Sequence, residues 1–250
     1  MTMHNYGRAL QIGVPAQAPR CRNHILASLP TPAWERLKPH ASRVLLTEGQ
    51  VIQDAQTRIT HLFFVEKGLA SLVVHSSAGA QIESSVAGCE SAIGASAVLT
   101  GEPCFHRVIV QIPGNAYRIP IDLITTECGR NTTLQKMLQS SAYLDMIQSS
   151  QTAMCNRVHS VEERLSRWLL TAYDRIESNR LNVTHEMIAQ MLGTRRSGVT
   201  AALGALQQNG SVSLARGYIT VLQAEKLETC SCECYRIIRE QFQCIKTFHA

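Results

Sequence analysis

The feature that most restricts the fold is a change of sequence pattern near residue 130. Between residues 43 and 122, short runs rich in Val, Ile and Phe end at glycine, as in RVLLTEG, THLFFVEKG and RVIVQIPG. Runs of this length that are bounded by turn residues predict a small antiparallel β-roll. Residues 131–250 contain no proline, and their apolar residues recur at spacings of three and four, which predicts helices. We therefore expect an α+β chain whose strands precede its helices.

Composition is that of an ordinary globular protein. Hydrophobic residues make up 45% and charged residues 17% of the 250, which argues against disorder and against a long coiled coil. No apolar run approaches the roughly 18 residues of a membrane-spanning helix, and the N-terminus lacks the apolar stretch of a secretory signal. We expect a cytoplasmic protein with no membrane partner. Its nine cysteines are then expected to be reduced thiols.

Residues 131–158 predict one helix, roughly 40 Å long, with a mainly apolar seam. A seam of this kind is typical of a helix that pairs with a second helix. We therefore predict a homodimer interface formed by Met137, Leu144, Ile147, Gln151, Met154 and Val158. The alternative is that this helix packs on the β-roll of its own chain.

The next helix is predicted to begin after Ser160. Ser160 and Glu163 match a capping box, in which each residue satisfies a backbone N–H of the other. The apolar face that follows, with Leu165, Trp168 and Leu169, is expected to belong to a core.

Residues 183–210 predict two short helices joined by a tight turn. Thr184 can cap the first helix, Gly193 ends it, and the second begins three residues later. Apolar residues recur on the inner face of each helix. Two helices in this arrangement are typical of a helix-turn-helix.

The second of these helices has the dimensions and side chains of a helix that reads DNA. An α-helix fits the major groove, where Arg can pair with guanine through two hydrogen bonds. Serine and threonine can reach phosphates or base edges. The predicted contacts are Thr184, Thr194, Arg195, Arg196, Ser197 and Thr200. The alternative is that the two arginines are solvated surface charges.

Residues 211–221 alternate apolar and polar side chains around Arg216-Gly217, which predicts a β-hairpin. Beside a helix pair, such a hairpin is the wing of a winged helix, and Arg216 at its tip is predicted to contact a DNA phosphate. The net charge of the whole chain is only +5, so local geometry carries this prediction more than charge does.

Five segments follow from these patterns. We predict a flexible tail (1–22), a β-roll sensor domain (23–130), a dimerisation helix (131–158), a winged helix-turn-helix (159–222) and a cysteine-rich helical extension (223–250).

The order of β-roll, long helix and winged helix-turn-helix resembles the Crp/Fnr family of bacterial transcription regulators. The resemblance extends from about Ile25 to Val221 and is most specific in THEMIAQMLGTRRSGVTAAL, which begins at Thr184. It implies a roll like a cyclic-nucleotide-binding domain and a homodimer on a palindromic operator in double-stranded DNA. It also implies contact with RNA polymerase during activation.

On this resemblance, Arg196 takes the place of the main base-reading arginine of the family. Ser197 and Ala201 stand where members commonly have Glu and a basic residue. The resemblance therefore implies a half-site different from that of the best-known members.

In members that bind cyclic nucleotides, a Gly-Glu pair holds the ribose and an Arg-Ser pair holds the phosphate. The corresponding effector-pocket residues here are Gly94, Ala95, Arg107 and Val108. Ala95 and Val108 lack the polar groups, and each lost hydrogen bond costs ~1–3 kcal/mol. Cyclic nucleotides are therefore not expected as effectors.

Oxygen-sensing members hold an iron–sulfur cluster through closely spaced N-terminal cysteines. Cys21 is alone in the first 88 residues, and such a cluster normally needs four thiolates, so we expect none. His75 and His106 leave haem open, although a single His in a roll is more commonly an ordinary surface or core residue. No cofactor is expected.

The sequence Cys230-Ser-Cys232-Glu-Cys234 is followed by Cys244 and His249. The flanking apolar residues favour a helix, on which Cys230 and Cys234 share a face and Cys232 points away. Buried thiols are the favoured interpretation, a redox switch the second, and a metal site the third, because one ion could not easily bind all three cysteines.

Two other kinds of function stay open. The roll could belong to an enzyme, but the chain has no Gly-x-Ser-x-Gly and no phosphate loop, so we predict no catalytic residue. Alternatively, the chain is a protein-interaction module or sensor that does not bind DNA and whose winged helix is structural.

Overall fold

The computed structural model describes residues 21–176 and 178–248, with side chains up to Gln243. Most of the predicted N-terminal tail, and His249, lie outside the described residues. Cys21 and Arg22, which were assigned to the tail, instead contact the roll through Glu66. The side chain of Asn23 then donates hydrogen bonds to the carbonyls of Val65 and Ser91, at 3.0 and 2.9 Å.

An antiparallel roll of six strands forms the first domain, as predicted. The strands are β1 (Ser42–Leu46), β2 (Val51–Gln53), β3 (His61–His75), β4 (Gln81–Ala87), β5 (Ala92–Ile93) and β6 (Arg107–Pro120). The long strand β6 pairs with β1, β2 and β3, and β3 also pairs with β4 and β5. Alternate residues of β3 and β6, including Val65, Val108 and Val110, meet in the interior of the roll.

Helices cover one side of this roll. They are α1 (His24–Ala27), α2 (Thr31–Leu37) with a following 3-10 turn (Lys38–His40), α3 (Ala95–Thr100), α4 (Ile121–Arg130) and α5 (Thr132–Val158). Trp34, Phe64, Ile124 and Leu138 are buried together between the helices and the sheet. The first part of α5 therefore belongs to the core of its own domain.

The second domain begins with α6 (Val161–Arg175). Its predicted capping box is confirmed: Glu163 N–H donates to the Ser160 hydroxyl, and Ser160 N–H donates to the Glu163 carboxylate. The remaining elements are β7 (Arg180–Leu181), α7 (His185–Met191), α8 (Arg196–Gln208), β8 (Val212–Ala215) and β9 (Tyr218–Val221). The three strands form a sheet in the order β7-β9-β8.

The C-terminal extension consists of α9 (Ala224–Thr229) and α10 (Cys234–Phe248). The prediction of one helix through the three cysteines is wrong, because α9 ends before Cys230 and α10 begins at Cys234. Cys232 therefore lies in the short connection between two helices.

The two domains share one hydrophobic core. Leu69, Val86 and Ile112 of the roll are buried against Trp168 and Leu169 of α6. Polar bonds also cross this boundary: Trp168 Nε1 donates to Glu83 at 3.2 Å, and Arg175 Nε donates to Glu90 at 2.5 Å. Within the described part of the chain, none of the helices combines the length and apolar character of a bilayer span.

Candidate nucleic-acid interface

The turn between α7 and α8 is fixed by local hydrogen bonds. The Thr184 hydroxyl accepts a bond from Met187 N–H at 3.2 Å and so caps α7. Thr194 N–H then donates to the carbonyl of Ala189 at 2.9 Å. Gly193 has φ of +58°, a conformation that costs glycine little because it has no Cβ. These bonds set the direction in which α8 leaves the turn.

The side chains on the inner side of this helix pair are buried, and those at the start of α8 on its outer side are exposed to solvent. Ile188, Val199, Leu203 and Leu206 are buried in the common core. Arg195, Arg196 and Ser197, at the start of α8, are exposed. The first N–H groups of a helix carry a partial positive charge. The N-terminus of α8 and the guanidinium groups of Arg195 and Arg196 therefore form a basic surface together.

Two of the predicted contact residues use their hydroxyl groups within the chain. Thr184 caps α7, as described above. The Thr200 hydroxyl donates to the carbonyl of Arg196 at 3.1 Å and lies 3.0 Å from His185 Nδ1. Thr194 is half-buried next to Gly198. The exposed polar surface therefore centres on residues 195–197, with Thr200 and His185 at its edge.

His185 was not predicted as part of this surface. It is the first residue of α7, whereas Thr200 lies in the second turn of α8. His185 and Thr200 meet because of the angle at which α7 and α8 cross. The spacing of residues along either helix does not predict that angle.

The hairpin of β8 and β9 lies beside the helix pair as a wing. Ala215 pairs with Tyr218 across its turn, and Arg216 in the turn is exposed. The guanidinium carbon of Arg180 lies 3.4 Å from the centre of the Tyr218 ring, a cation–π contact. Sequence analysis did not identify Arg180, because β7 has only two residues and carries no alternating pattern.

Three of the four predicted effector-pocket residues line one cavity. Gly94, Ala95 and Val108 surround a space of about 230 Å³ between the roll and α5. Arg107 is not among the lining residues; its Nε lies 3.3 Å from Asp54 Oδ1 instead. Ligand pockets commonly measure ≈ 300–1,000 Å³, so this cavity is small.

The cavity also contains two titratable groups, Asp145 and His106, of which sequence analysis named only His106. Burial and the negative charge of Glu90 raise the pKa of Asp145 to about 7. The hydrogen bond from Ser85 lowers this pKa by a smaller amount. Burial lowers the pKa of His106. Asp145 belongs to α5 and reaches the roll only because that helix packs on β4, which no local pattern predicts.

The predicted dimer seam divides into two parts in the structure. Met137 is buried against the roll, and Leu144 is also buried. This part of α5 therefore packs on the roll of its own chain, which was the alternative to the dimer interface. Ile147 and Gln151 are half-buried. Four apolar side chains of α5 are exposed, namely Tyr143 (49%), Met146 (58%), Met154 (40%) and Val158 (61%).

The three C-terminal cysteines do not lie together. Cys230 Sγ accepts a hydrogen bond from Asn209 Nδ2 at 3.2 Å, whereas Cys232 and Cys234 are buried next to Cys155. The bond between the Cys232 and Cys155 sulfur atoms, 3.5 Å apart, lowers the pKa of Cys155 to about 5. Burial raises the pKa of Cys234 to about 11.

Comparison with known proteins agrees with this architecture. Residues 163–230 match the family model of the Crp-like helix-turn-helix domain. The solved structure of FixK2 from Bradyrhizobium japonicum is 13% identical, with 77% of this chain and 98% of that chain covered and a TM-score of 0.66. A transcriptional regulator of the Crp/Fnr family from Thermus thermophilus is 16% identical, with coverages of 76% and 98% and a TM-score of 0.61.

A third similar structure is the c-di-GMP responsive global regulator CLP of Xanthomonas campestris. It is 13% identical, with coverages of 76% and 98% and a TM-score of 0.60. No curated protein matches the sequence. The predicted fold class is thereby confirmed: residues 163–230 match a Crp-like helix-turn-helix domain, and about three quarters of the chain has the fold of solved Crp/Fnr transcriptional regulators.

Proposed function

We propose that this protein is a transcription regulator that binds double-stranded DNA sequence-specifically through α8. One observation carries the proposal: residues 195–197 are exposed at the start of α8, within a helix pair whose other side is buried. A helix of this width enters the major groove, and an exposed arginine there can read guanine. Arg216 of the wing and Arg180 of β7 would lie along the phosphates.

The deciding experiment measures DNA binding by the Arg196→Ala variant. A duplex selected from random sequence by the unaltered protein serves as the operator, and affinity is measured by fluorescence anisotropy at several salt concentrations. We expect Arg196→Ala to cost about 1–3 kcal/mol and to relax the base preference at one position of each half-site. Arg58→Ala, at an exposed loop position of the roll, is the matched control and is expected to leave affinity unchanged.

The wing supplies an internal comparison in the same assay. Arg216→Ala is expected to weaken binding to all sequences alike and to reduce the slope of log affinity against log salt by about 1, because it removes one phosphate contact. If Arg196→Ala bound the selected operator as tightly as the unaltered protein at equal salt, the assignment of α8 would be wrong.

We further propose that the regulator is a homodimer on a palindromic operator, with one α8 in each half-site. The exposed apolar side chains of α5 support this, since a second copy of the helix would cover them. Gln151 supports it too: its Oε1 is buried and has no hydrogen-bond partner among the described residues, and a partner helix could donate one. Contact with RNA polymerase belongs to the same proposal when the protein activates transcription.

Neither cyclic AMP nor cyclic GMP is the effector in our proposal. Ala95 and Val108 line the cavity with apolar groups, and Arg107 pairs with Asp54. At these positions a nucleotide would lose water from its phosphate and ribose and gain no side-chain hydrogen bond in return. A protein of the same fold responds to c-di-GMP, so the fold by itself does not specify cyclic AMP.

Calorimetric titration with each nucleotide tests this part of the proposal. We expect no detectable heat and no change in operator affinity on adding nucleotide. Binding at micromolar concentration or tighter that is lost in Arg107→Ala would contradict it, because it would show that Arg107 turns from Asp54 to a phosphate.

A protein-interaction module is the second candidate function. The exposed apolar side chains of α5 would then face a different protein, and the wing would be structural. Absence of salt-dependent DNA binding by the unaltered protein would favour this candidate. We assign no catalytic residue.

A further inference from the structure

Four side chains with metal-binding atoms converge where α5, α6 and the C-terminal extension meet. Cys155 lies in the last turn of α5, His159 connects α5 to α6, Cys232 lies just before α10, and Cys234 is its first residue. One ligand atom from each residue lies within 4.8 Å of the corresponding atoms of the other three. The cysteines are all buried and His159 is half-buried.

The separations suit a single tetrahedral ion. Zn²⁺ binds thiolate sulfur at ≈ 2.3 Å and imidazole nitrogen at ≈ 2.0–2.1 Å, so tetrahedral ligand atoms lie roughly 3.5–3.8 Å apart. In this protein, the sulfur atoms of Cys155 and Cys232 are 3.5 Å apart. Cys234 Sγ lies 3.7 Å from His159 Nδ1. A cluster of several iron atoms would need its ligands further apart.

A carboxylate lies next to His159 in the position that commonly supports a metal-bound histidine. His159 points Nδ1 towards the cysteines, and its other nitrogen, Nε2, lies 3.2 Å from a carboxylate oxygen of Glu233. A carboxylate on the far nitrogen fixes the tautomer of a ligating histidine and its orientation. Glu233 comes from the short connection between Cys232 and Cys234, so one segment supplies two ligands and this support.

The charge of the surroundings also fits. Three thiolates and one divalent cation sum to a single negative charge. Arg164 and Arg167 of α6 are both buried and both interact electrostatically with Cys155. The Nε atoms of both arginines have no hydrogen-bond partner within the described part of the chain. Two buried cations are compensated by a net anionic centre beside them.

We propose that Cys155, His159, Cys232 and Cys234 bind one Zn²⁺ ion in a Cys3His site. All four positions of a tetrahedron are occupied by protein atoms, so the site is structural and leaves no open position for a substrate. The ion joins the end of the long helix to the C-terminal extension across more than 70 residues of sequence. This assignment does not depend on DNA binding.

The experiment measures metal content and cobalt spectra on the full chain without an affinity tag, purified under reducing conditions. We expect about one zinc per chain by elemental analysis. After removal of zinc, titration with Co²⁺ is expected to give the intense visible bands of a tetrahedral thiolate site at a stoichiometry of one.

Variants locate the ion. Cys232→Ser is expected to lower zinc content at least tenfold, whereas Cys230→Ser, two residues away and outside the group, keeps about one zinc per chain. Glu233→Gln keeps all four ligands and is expected to weaken zinc affinity about 10- to 100-fold in competition with a chelator. This variant tests the site even if Cys232→Ser fails to fold.

Three outcomes would overturn the proposal. The first is a reduced, unaltered protein that holds less than about 0.1 zinc per chain and gives no tetrahedral cobalt spectrum. The second is equal zinc in Cys232→Ser and the unaltered protein, which would place the ion elsewhere. The third is a Cys155–Cys232 disulfide whose reduction yields thiols that still bind no metal, which would identify the group as a redox pair.

Discussion

At the scale of single residues, Asp145 shows how tertiary packing changes the chemistry of one carboxyl group. It lies on α5 against the roll, where burial raises its pKa to about 7 and Ser85 Oγ donates a hydrogen bond of 3.4 Å. In an unfolded chain the pKa of Asp is about 3.9. The folded protein therefore holds a proton between these pH values that the unfolded chain has released, and its stability falls as pH rises from about 4 to 7.

Asp145→Asn is expected to remove this dependence. An amide stays neutral, so the variant gains stability relative to the unaltered protein as pH rises, by roughly 1–3 kcal/mol above pH 8 and by about a third of that at pH 5. Urea denaturation at pH 5, 6.5 and 8.5 measures the difference. Asp122→Asn, at an exposed position of α4, is the control. A difference between Asp145→Asn and the unaltered protein that stayed constant across this pH range would contradict the prediction.

At the scale of elements, local patterns determined most of the helices and the wing, and long-range packing determined the rest. The capping box at Ser160 and the hairpin around Arg216 depend on residues close in sequence, and both are present. The break between α9 and α10 was missed because apolar residues continue at helical spacing across it. Its cause lies elsewhere in the chain, since Cys232 turns inward to meet Cys155, 77 residues earlier.

The candidate sites divide in the same way. The exposed residues at the start of α8 could be identified because one helix pair and one turn define them. Asp145 and His159 could not, since each acquires its role from an element distant in sequence. His185 could not, since the crossing of α7 and α8 places it beside Thr200. Arg107 was assigned to the effector pocket from a family pattern, and only the position of Asp54 shows which way its side chain turns.

At the scale of the whole molecule, α5 runs from the core of the roll to the group formed by Cys155, His159, Cys232 and Cys234. Its first half belongs to the core of the roll, Asp145 borders the cavity, and Cys155 in its last turn belongs to the Cys3His group. Glu83 and Glu90 of the roll bond to α6 across the domain boundary.

Dimerisation through the exposed apolar side chains of α5 is a prediction at this scale. Met154→Glu places a charge in the proposed seam, where pairing with a second helix would bury it without a partner. Because Met154 is 40% exposed in the single chain, the charge stays hydrated in the monomer, so we expect the variant to fold and to be monomeric. Sedimentation velocity at micromolar concentration measures the oligomeric state, and circular dichroism verifies folding.

The matched control is Thr132→Glu, at the exposed first position of the same helix and roughly 33 Å from Met154. It is expected to leave the dimer intact. Loss of the dimer should also weaken operator binding by at least about 100-fold, because the second half-site then no longer benefits from the high effective concentration that the dimer provides. An unaltered protein that is monomeric at micromolar concentration, or a Met154→Glu variant that sediments as a dimer, would show that α5 is not the interface.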